Sequence, residues 1–252
     1  MRFCSLDLVR PLLICPWPAL VLTCSVAAAQ SPPDGQWHGD ISIGGSAASG
    51  NTSATALNLR VETSKATSAD KISIYALANY GTSESNGVRT RSADLARVAG
   101  RYDRNLDTRF FAFAGGEAET NRPGGVRQRL SANVGAGWHL LRSEAHNGNV
   151  FTGVGHSGTQ FTDGSRRSGA EWLLGEETSH RLGESSSLKQ KLVLYPGVKA
   201  IGNRATFESG LTTAIVGGWT FNAGLVLRYT SKVAPGLKKN ERLLTFGFGY
   251  KY

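Results

Sequence analysis

The last ten residues, Leu243 to Tyr252, read Leu-Leu-Thr-Phe-Gly-Phe-Gly-Tyr-Lys-Tyr. Side chains of an extended chain alternate between two faces. Leu244, Phe246, Phe248, Tyr250 and Tyr252 therefore share one face, and Leu243, Thr245, Gly247, Gly249 and Lys251 the other. Such an aromatic stripe can be covered in two ways. It can enter the core of a soluble β-sandwich, or it can face lipid on a membrane β-barrel, whose strands run apolar outside and polar inside. A stripe that ends on an aromatic residue favours the barrel, and so does the rest of the chain.

The N-terminus carries Arg2 and Arg10, a mostly apolar stretch from Pro11 to Val26, and then Ala27-Ala28-Ala29. A basic region, an apolar region and a small-residue cleavage site describe a cleaved signal peptide over residues 1–29. A short periplasmic segment, 30–36, and a barrel over 37–252 would follow. Two other readings are weaker. Pro11, Pro16, Pro18 and the short run argue against a membrane anchor, and Thr23 is a poor neighbour for lipoprotein processing at Cys24. Cys4, Cys15 and Cys24 all precede the cut, so the mature chain would have no disulfide, thiolate nucleophile or sulfur metal site. Small exported domains often depend on disulfides; a closed hydrogen-bonded sheet is another way to hold one together.

Cleavage leaves 223 residues, which suits one domain. The formal charge is +9, or +8 without the signal's two Arg and one Asp. That balance suits contact with anionic outer-membrane lipids and lipopolysaccharide, and no dense Lys/Arg patch points to nucleic acid. Beyond the signal no apolar run approaches the ~18 residues of a spanning helix. The 31 glycines suit strands and turns, and a slightly polar mean hydropathy of −0.22 is what half-polar strands give.

Twelve segments read as strands: 37–45, 54–63, 70–80, 91–102, 108–116, 127–140, 149–158, 168–175, 188–196, 207–215, 219–229 and 243–252. The cleanest sets Leu130, Ala132, Val134, Ala136, Trp138 and Leu140 against Arg129, Ser131, Asn133 and His139. Segment 108–116 is aromatic on both faces, so its phase is open, and 149–158 is short and ambiguous. The expected fold is all-β, an antiparallel transmembrane barrel of about twelve strands; ten and fourteen are the alternatives, because two segments are weak. An even number lets the first and last strands pair antiparallel. Each strand with its turn receives roughly 18 residues, enough for the ~9–11 that cross a membrane at a tilt. Longer polar connections at 46–53, 82–90, 117–126, 158–167, 199–204 and 231–242 alternate with tighter ones, which places the longer set outside and both termini in the periplasm. The connection at 142–148 breaks this alternation mildly.

Several short motifs fall in a recognisable order. Trp37-His38-Gly39 opens the first strand and Ser49-Gly50-Asn51-Thr52 follows it. Arg101-Tyr102-Asp103-Arg104, Tyr195-Pro196 and the closing Gly247-Phe248-Gly249-Tyr250 come later. Together they resemble the YdiY-like salt-induced outer membrane protein family of Gram-negative bacteria, over nearly all of the mature chain. The resemblance implies an outer-membrane barrel linked to salt or envelope stress, with no established catalytic residues. Lys239-Asn240-Glu241-Arg242 departs from it where an Asp would precede the last strand.

The residues themselves give little catalytic chemistry. His156-Ser157 is the one adjacent His/Ser pair, and strand neighbours point to opposite faces. His38, His139, His146, His156 and His180 show no metal-ligand spacing. Glu117 and Glu119 share a face at a loop edge, where solvated carboxylates are the default. No cofactor is expected, and an outer-membrane lipid-modifying enzyme is the remotest reading.

The inward charges carry more information. By phase, Arg60, Lys71, Arg97, Arg101, Arg129, Lys189, Lys191 and Arg228 line the lumen, with Asp40, Glu62, Asp103, Glu171 and Glu208. They form either an ion-pair network that braces the barrel or the wall of a narrow path favouring small anions. Outside, Trp37, Tyr80, Tyr102, Trp138, Trp172, Trp219, Tyr229, Tyr250 and Tyr252 are candidates for the two interfacial aromatic belts. The expected partners are lipid, lipopolysaccharide and the barrel assembly machinery, the last through Leu243 to Tyr252, for a protein that is itself a monomer.

Overall fold

A computed structural model describes residues 33–49, 54–85, 88–233 and 236–252. The expected signal peptide, 1–29, lies outside the described residues, as do parts of three expected loops. Among the described residues there are twelve strands and no helix. They are β1 (Trp37–Ser49), β2 (Ala54–Ala66), β3 (Asp70–Ser85), β4 (Val88–Asn105), β5 (Phe110–Asn121) and β6 (Val126–Arg142), then β7 (His146–Phe161), β8 (Arg166–Arg181), β9 (Ser186–Tyr195), β10 (Arg204–Ala214), β11 (Trp219–Thr230) and β12 (Asn240–Lys251). Each strand pairs antiparallel with its sequence neighbours, and β1 pairs with β12, so the sheet closes. Closure leaves no free edge and satisfies the backbone between strands, the condition for β-structure in lipid.

One register runs round the ring. Ile43 stands opposite Leu59 on one side and Phe248 on the other, all three pointing outward. Arg97 stands opposite Glu119, which stands opposite Arg129, all three inward. The outer wall is apolar, with Leu57 62% and Phe248 58% exposed, as on the lipid-facing surface of a membrane barrel.

The strands run longer than the hydrophobic alternation suggests. The fifth continues past Gly116 to Asn121, and the seventh, short in the sequence reading, spans sixteen residues. Backbone pairing carries a strand beyond the point where lipid stops selecting its side chains. As a result the connections at 122–125 and 162–165 are tight turns, and the expected contrast of long and short connections shrinks to 196–203 and 231–239. The irregularity expected at 142–148 is also absent: the turn is 143–145, closed by Ser143 N–H to the His146 carbonyl at 3.0 Å. In the turn 106–109 the Asp107 carboxylate accepts from Arg109 N–H at 2.6 Å and Phe110 N–H at 2.7 Å. Those two bonds hold its carboxyl below the ordinary range.

Two ladders of the ring are pinched on their inner side. At the β12/β1 seam Gly44 faces Gly247, and a Cβ on Gly44 would lie 1.8 Å from the Phe246 carbonyl oxygen. At the β6/β7 ladder Gly135 faces Gly153, and a Cβ on Gly135 would lie 2.2 Å from the Thr152 carbonyl oxygen. At both ladders the inner side is closed so tightly that only hydrogen fits. The two ladders stand on opposite sides of the ring of twelve. They act as corners that divide the ring into a β1–β6 wall and a β7–β12 wall, and charged side chains of the two walls meet across the lumen.

Candidate functional site

The register places all thirteen charged residues expected in the lumen on the inward face. Their contacts join strands that are not neighbours, which is possible only through the interior. Arg97 on β4 donates to Glu208 on β10 at 2.5 Å, and Arg228 on β11 donates to Glu119 on β5 at 2.9 Å. In each case the strands are six places apart in the ring, so each pair spans the barrel. Lys189 on β9 reaches Glu62 on β2 at 3.4 Å, and Arg101 on β4 reaches Glu177 on β8 at 3.2 Å.

Shorter links complete the network. Arg60 pairs with Glu62 on its own strand, Arg101 Nε with Asp103 at 2.6 Å, and Arg97 with Glu117 at 2.6 Å. Arg129 approaches Glu119 at 3.5 Å, and Arg204 Nη2 reaches both Glu171 oxygens at 2.6 and 2.9 Å. Lys71 stands opposite Asp103, and Lys191 stands between Glu177 and Glu208. Asp40 accepts from Thr220 at 2.7 Å and Asn222 at 3.0 Å.

Apolar side chains fill the corners on either side of this charged midline. Near the β6/β7 corner, Phe111, Phe113, Phe151 and Val193 form a buried cluster backed by Tyr195. The three rings lie over glycines: a Cβ on Gly137 would be 2.2 Å from Phe111, on Gly135 2.6 Å from Phe113, and on Gly175 2.3 Å from Phe151. The Arg101 guanidinium sits over the same rings, 5.4, 4.7 and 4.9 Å from the centroids of Phe111, Phe113 and Phe151. Near the other corner, Leu77 packs with Val226 and Leu243, flanked by Tyr75 and Leu95.

Glu117 and Glu119 correct the sequence reading, which left them solvated at a loop edge. Because β5 continues to Asn121, both point into the lumen, and Glu119 is 5% exposed between Arg129 and Arg228. Arg204 and Glu177 were also missed. Both carry the parity of an inward neighbour, Glu208 on β10 and Glu171 on β8, so extending each alternation would have reached them. Segment 108–116 resolves with Phe111 and Phe113 inward and Phe110 outward.

Outside, Trp37, Tyr102, Trp138, Trp219, Tyr250 and Tyr252 all face outward near the end of the barrel that carries the termini. Trp138 stacks on Phe110 at 5.8 Å, and Trp219 meets Tyr250 edge-on at 5.9 Å. Tyr80 and Tyr229 lie toward the far end and Trp172 in the middle of β8, so the two belts are unequal. His156 points outward and Ser157 inward, on opposite faces. Among the described residues no group of three or more His, Cys, Asp or Glu could hold a metal ion.

The bridges define a test. Arg97→Met strands Glu117 and Glu208 in a confined lumen, and breaking a buried pair from one side costs ~3–5 kcal/mol. The urea midpoint of the refolded barrel in detergent should fall accordingly. Adding Glu208→Gln should restore part of the loss, with a coupling of ~0.5–3 kcal/mol. Strictly additive effects would mean that the two residues do not meet across the barrel.

A closed, even-stranded, antiparallel barrel with an apolar outer wall and a charged interior is an outer-membrane-type β-barrel. The chain belongs to the family described as "Protein of unknown function, DUF481", whose model matches residues 41–252, and a YdiY-like identity is consistent with that match. No curated protein matches it. Among solved structures it is similar to the NanC porin, at 12% identity and a TM-score of 0.56 over 84% of this chain and all of that one. It also matches the KdgM porin in complex with disordered oligogalacturonate (10% identity, TM-score 0.45, 84% of this chain and 99% of that one). A third match is an anion-selective porin from Comamonas acidovorans (9% identity, TM-score 0.42, 86% and 99%). The likeness to the NanC porin is one of fold.

Proposed function

We propose that this protein is a structural barrel of the bacterial outer membrane whose lumen is braced shut, serving the envelope under salt stress without conducting solute or catalysing a reaction. One observation carries the reading: two Arg–Glu pairs, Arg97–Glu208 and Arg228–Glu119, span the barrel from opposite walls. Side chains tied across a lumen by charge-assisted bonds resist the separation that a pore needs. Enclosed pairs are also screened by salt far less than surface pairs, which suits a barrel that must hold its shape as ionic strength changes. The dense aromatic belt at the terminus end supports membrane seating with both termini in the periplasm, after removal of residues 1–29. On this reading the barrel is a monomer. Its partners are lipid and lipopolysaccharide, and the assembly machinery would take it up through Leu243 to Tyr252.

A passive path for small anions is the second reading. It is favoured by inward cations without matching carboxylates, such as Arg167 and Arg181, each with a buried guanidinium nitrogen lacking an acceptor. Conductance of the refolded mature chain in a planar bilayer, at low and at molar salt, separates the two. The braced barrel should give a heat-modifiable, inserted species with no steady current. A steady anion-selective current would replace it with the channel.

A further inference from the structure

Four guanidinium groups, those of Arg97, Arg129, Arg204 and Arg228, line one cavity in the half of the lumen away from the termini, with Glu117, Glu119 and Tyr195. Two of the four are engaged. Arg97 is held by Glu117 and Glu208, and Arg204 by both oxygens of Glu171 with its guanidinium 4.4 Å above the Tyr195 ring. The other two, Arg129 and Arg228, share the single carboxylate of Glu119, at 3.5 and 2.9 Å. Arg228 Nη2 is buried and has no acceptor. A buried guanidinium N–H without an acceptor is costly, and Arg129 and Arg228 divide one carboxylate between them while Arg97 takes two. With Arg129 Nε donating to Thr159 Oγ1 at 3.1 Å, what this side of the cavity lacks is an acceptor for the remaining guanidinium donors of Arg228.

We propose that this cavity is a binding site for a small oxyanion, a carboxylate or phosphate group, held between Arg129 and Arg228 on the side of each not taken by Glu119. The planar forks of two arginines fit the paired oxygens of such a group, whereas a spherical halide satisfies fewer of their donors. The links of Arg101 to Asp103 and Glu177 lie between the cavity and the terminus end. The inference does not rest on a silent lumen: binding with or without current leaves it standing.

The test is calorimetric titration of the folded, detergent-solubilised barrel with inorganic phosphate, and separately with acetate, at constant pH and ionic strength set by chloride. The expected result is saturable, one-to-one binding of either oxyanion against the chloride background. Arg228→Gln should weaken it at least about tenfold, the loss of one charge-assisted fork. Arg129→Gln is the second variant should Arg228→Gln not fold. Arg104→Gln, which removes one cation from the outer face, should leave affinity unchanged. Absence of saturable binding overturns the site, and so does equal affinity in wild type and the folded lumen variant, or an equal loss in Arg104→Gln, which would mean nonspecific attraction.

Discussion

Gly44→Ala is expected to cripple closure of the barrel, while Gly45→Ala, one residue along the same strand, is expected to leave it intact. The two positions face opposite ways on β1. At Gly44 an added methyl would sit 1.8 Å from the Phe246 carbonyl oxygen and 2.4 Å from Gly247 Cα, whereas at Gly45 it would meet nothing within 4 Å. Overpacking typically costs about 1–3 kcal/mol where neighbouring side chains can give way. Here the obstacle is the backbone of the last strand, so the loss should reach at least the upper part of that range. Relief requires the β12/β1 corner to open, and an open corner draws the two walls apart and stretches the Arg and Glu pairs between them. Refolding yield by heat-modifiable gel migration and the urea midpoint by tryptophan fluorescence report the difference. If Gly44→Ala and Gly45→Ala behave alike, the pinched seam is not a feature of the folded protein. Gly135→Ala should repeat the Gly44 result at the opposite corner, where the added methyl meets Thr152 oxygen at 2.2 Å.

Replacing Phe111, Phe113 and Phe151 together by alanine is expected to destabilise the barrel strongly and to raise its conductance above that of the wild type. Phe111 is 1% exposed, and the three rings with Val193 are the apolar filling beside the β6/β7 corner. Truncating one buried Phe costs ~3–5 kcal/mol. The three share contacts, so their effects will add imperfectly. The substitution also takes away the rings that Arg101 sits against, leaving its cation held by Asp103 and Glu177 beside a widened passage. Water should fill it, and small ions should follow. Single-channel recording of the triple variant, beside the wild type, is the measurement. A variant that inserts, folds and stays silent would show that the charged midline alone closes the lumen, and would move the gate from the rings to the Arg and Glu bridges.

Much of this architecture could be read from residue order. Alternation along a strand is local: lipid on one side and lumen on the other impose a period of two. Ile72, Ile74 and Tyr80 against Lys71, Ser73 and Asn79 therefore betray both the strand and its phase without knowledge of any neighbour. The same period put each of the thirteen expected lumen charges on the inward face, because the phase of a strand fixes the side of every residue on it. Strand ends were less legible. Where side chains pass out of the membrane the solvent is the same on both faces, and the alternation fades while backbone pairing continues. That is why Glu117 and Glu119 looked like loop carboxylates although β5 reaches Asn121.

Phase gives a side, but not a partner. That Arg97 meets Glu208, 111 positions away, follows from register summed round the whole ring and from a lumen narrow enough for the two side chains to span it. The two pinched ladders depend on glycines at Gly44, Gly135, Gly153 and Gly247 falling at facing positions on opposite sides of the ring, a coincidence visible only once the sheet is closed. Sequence by itself therefore determined that this chain makes a lipid-facing barrel with a charged interior, since each strand answers separately to its two environments. Whether that interior is a passage or a packed, cross-braced core was decided by tertiary structure, because it depends on distances between strands that share no local signal.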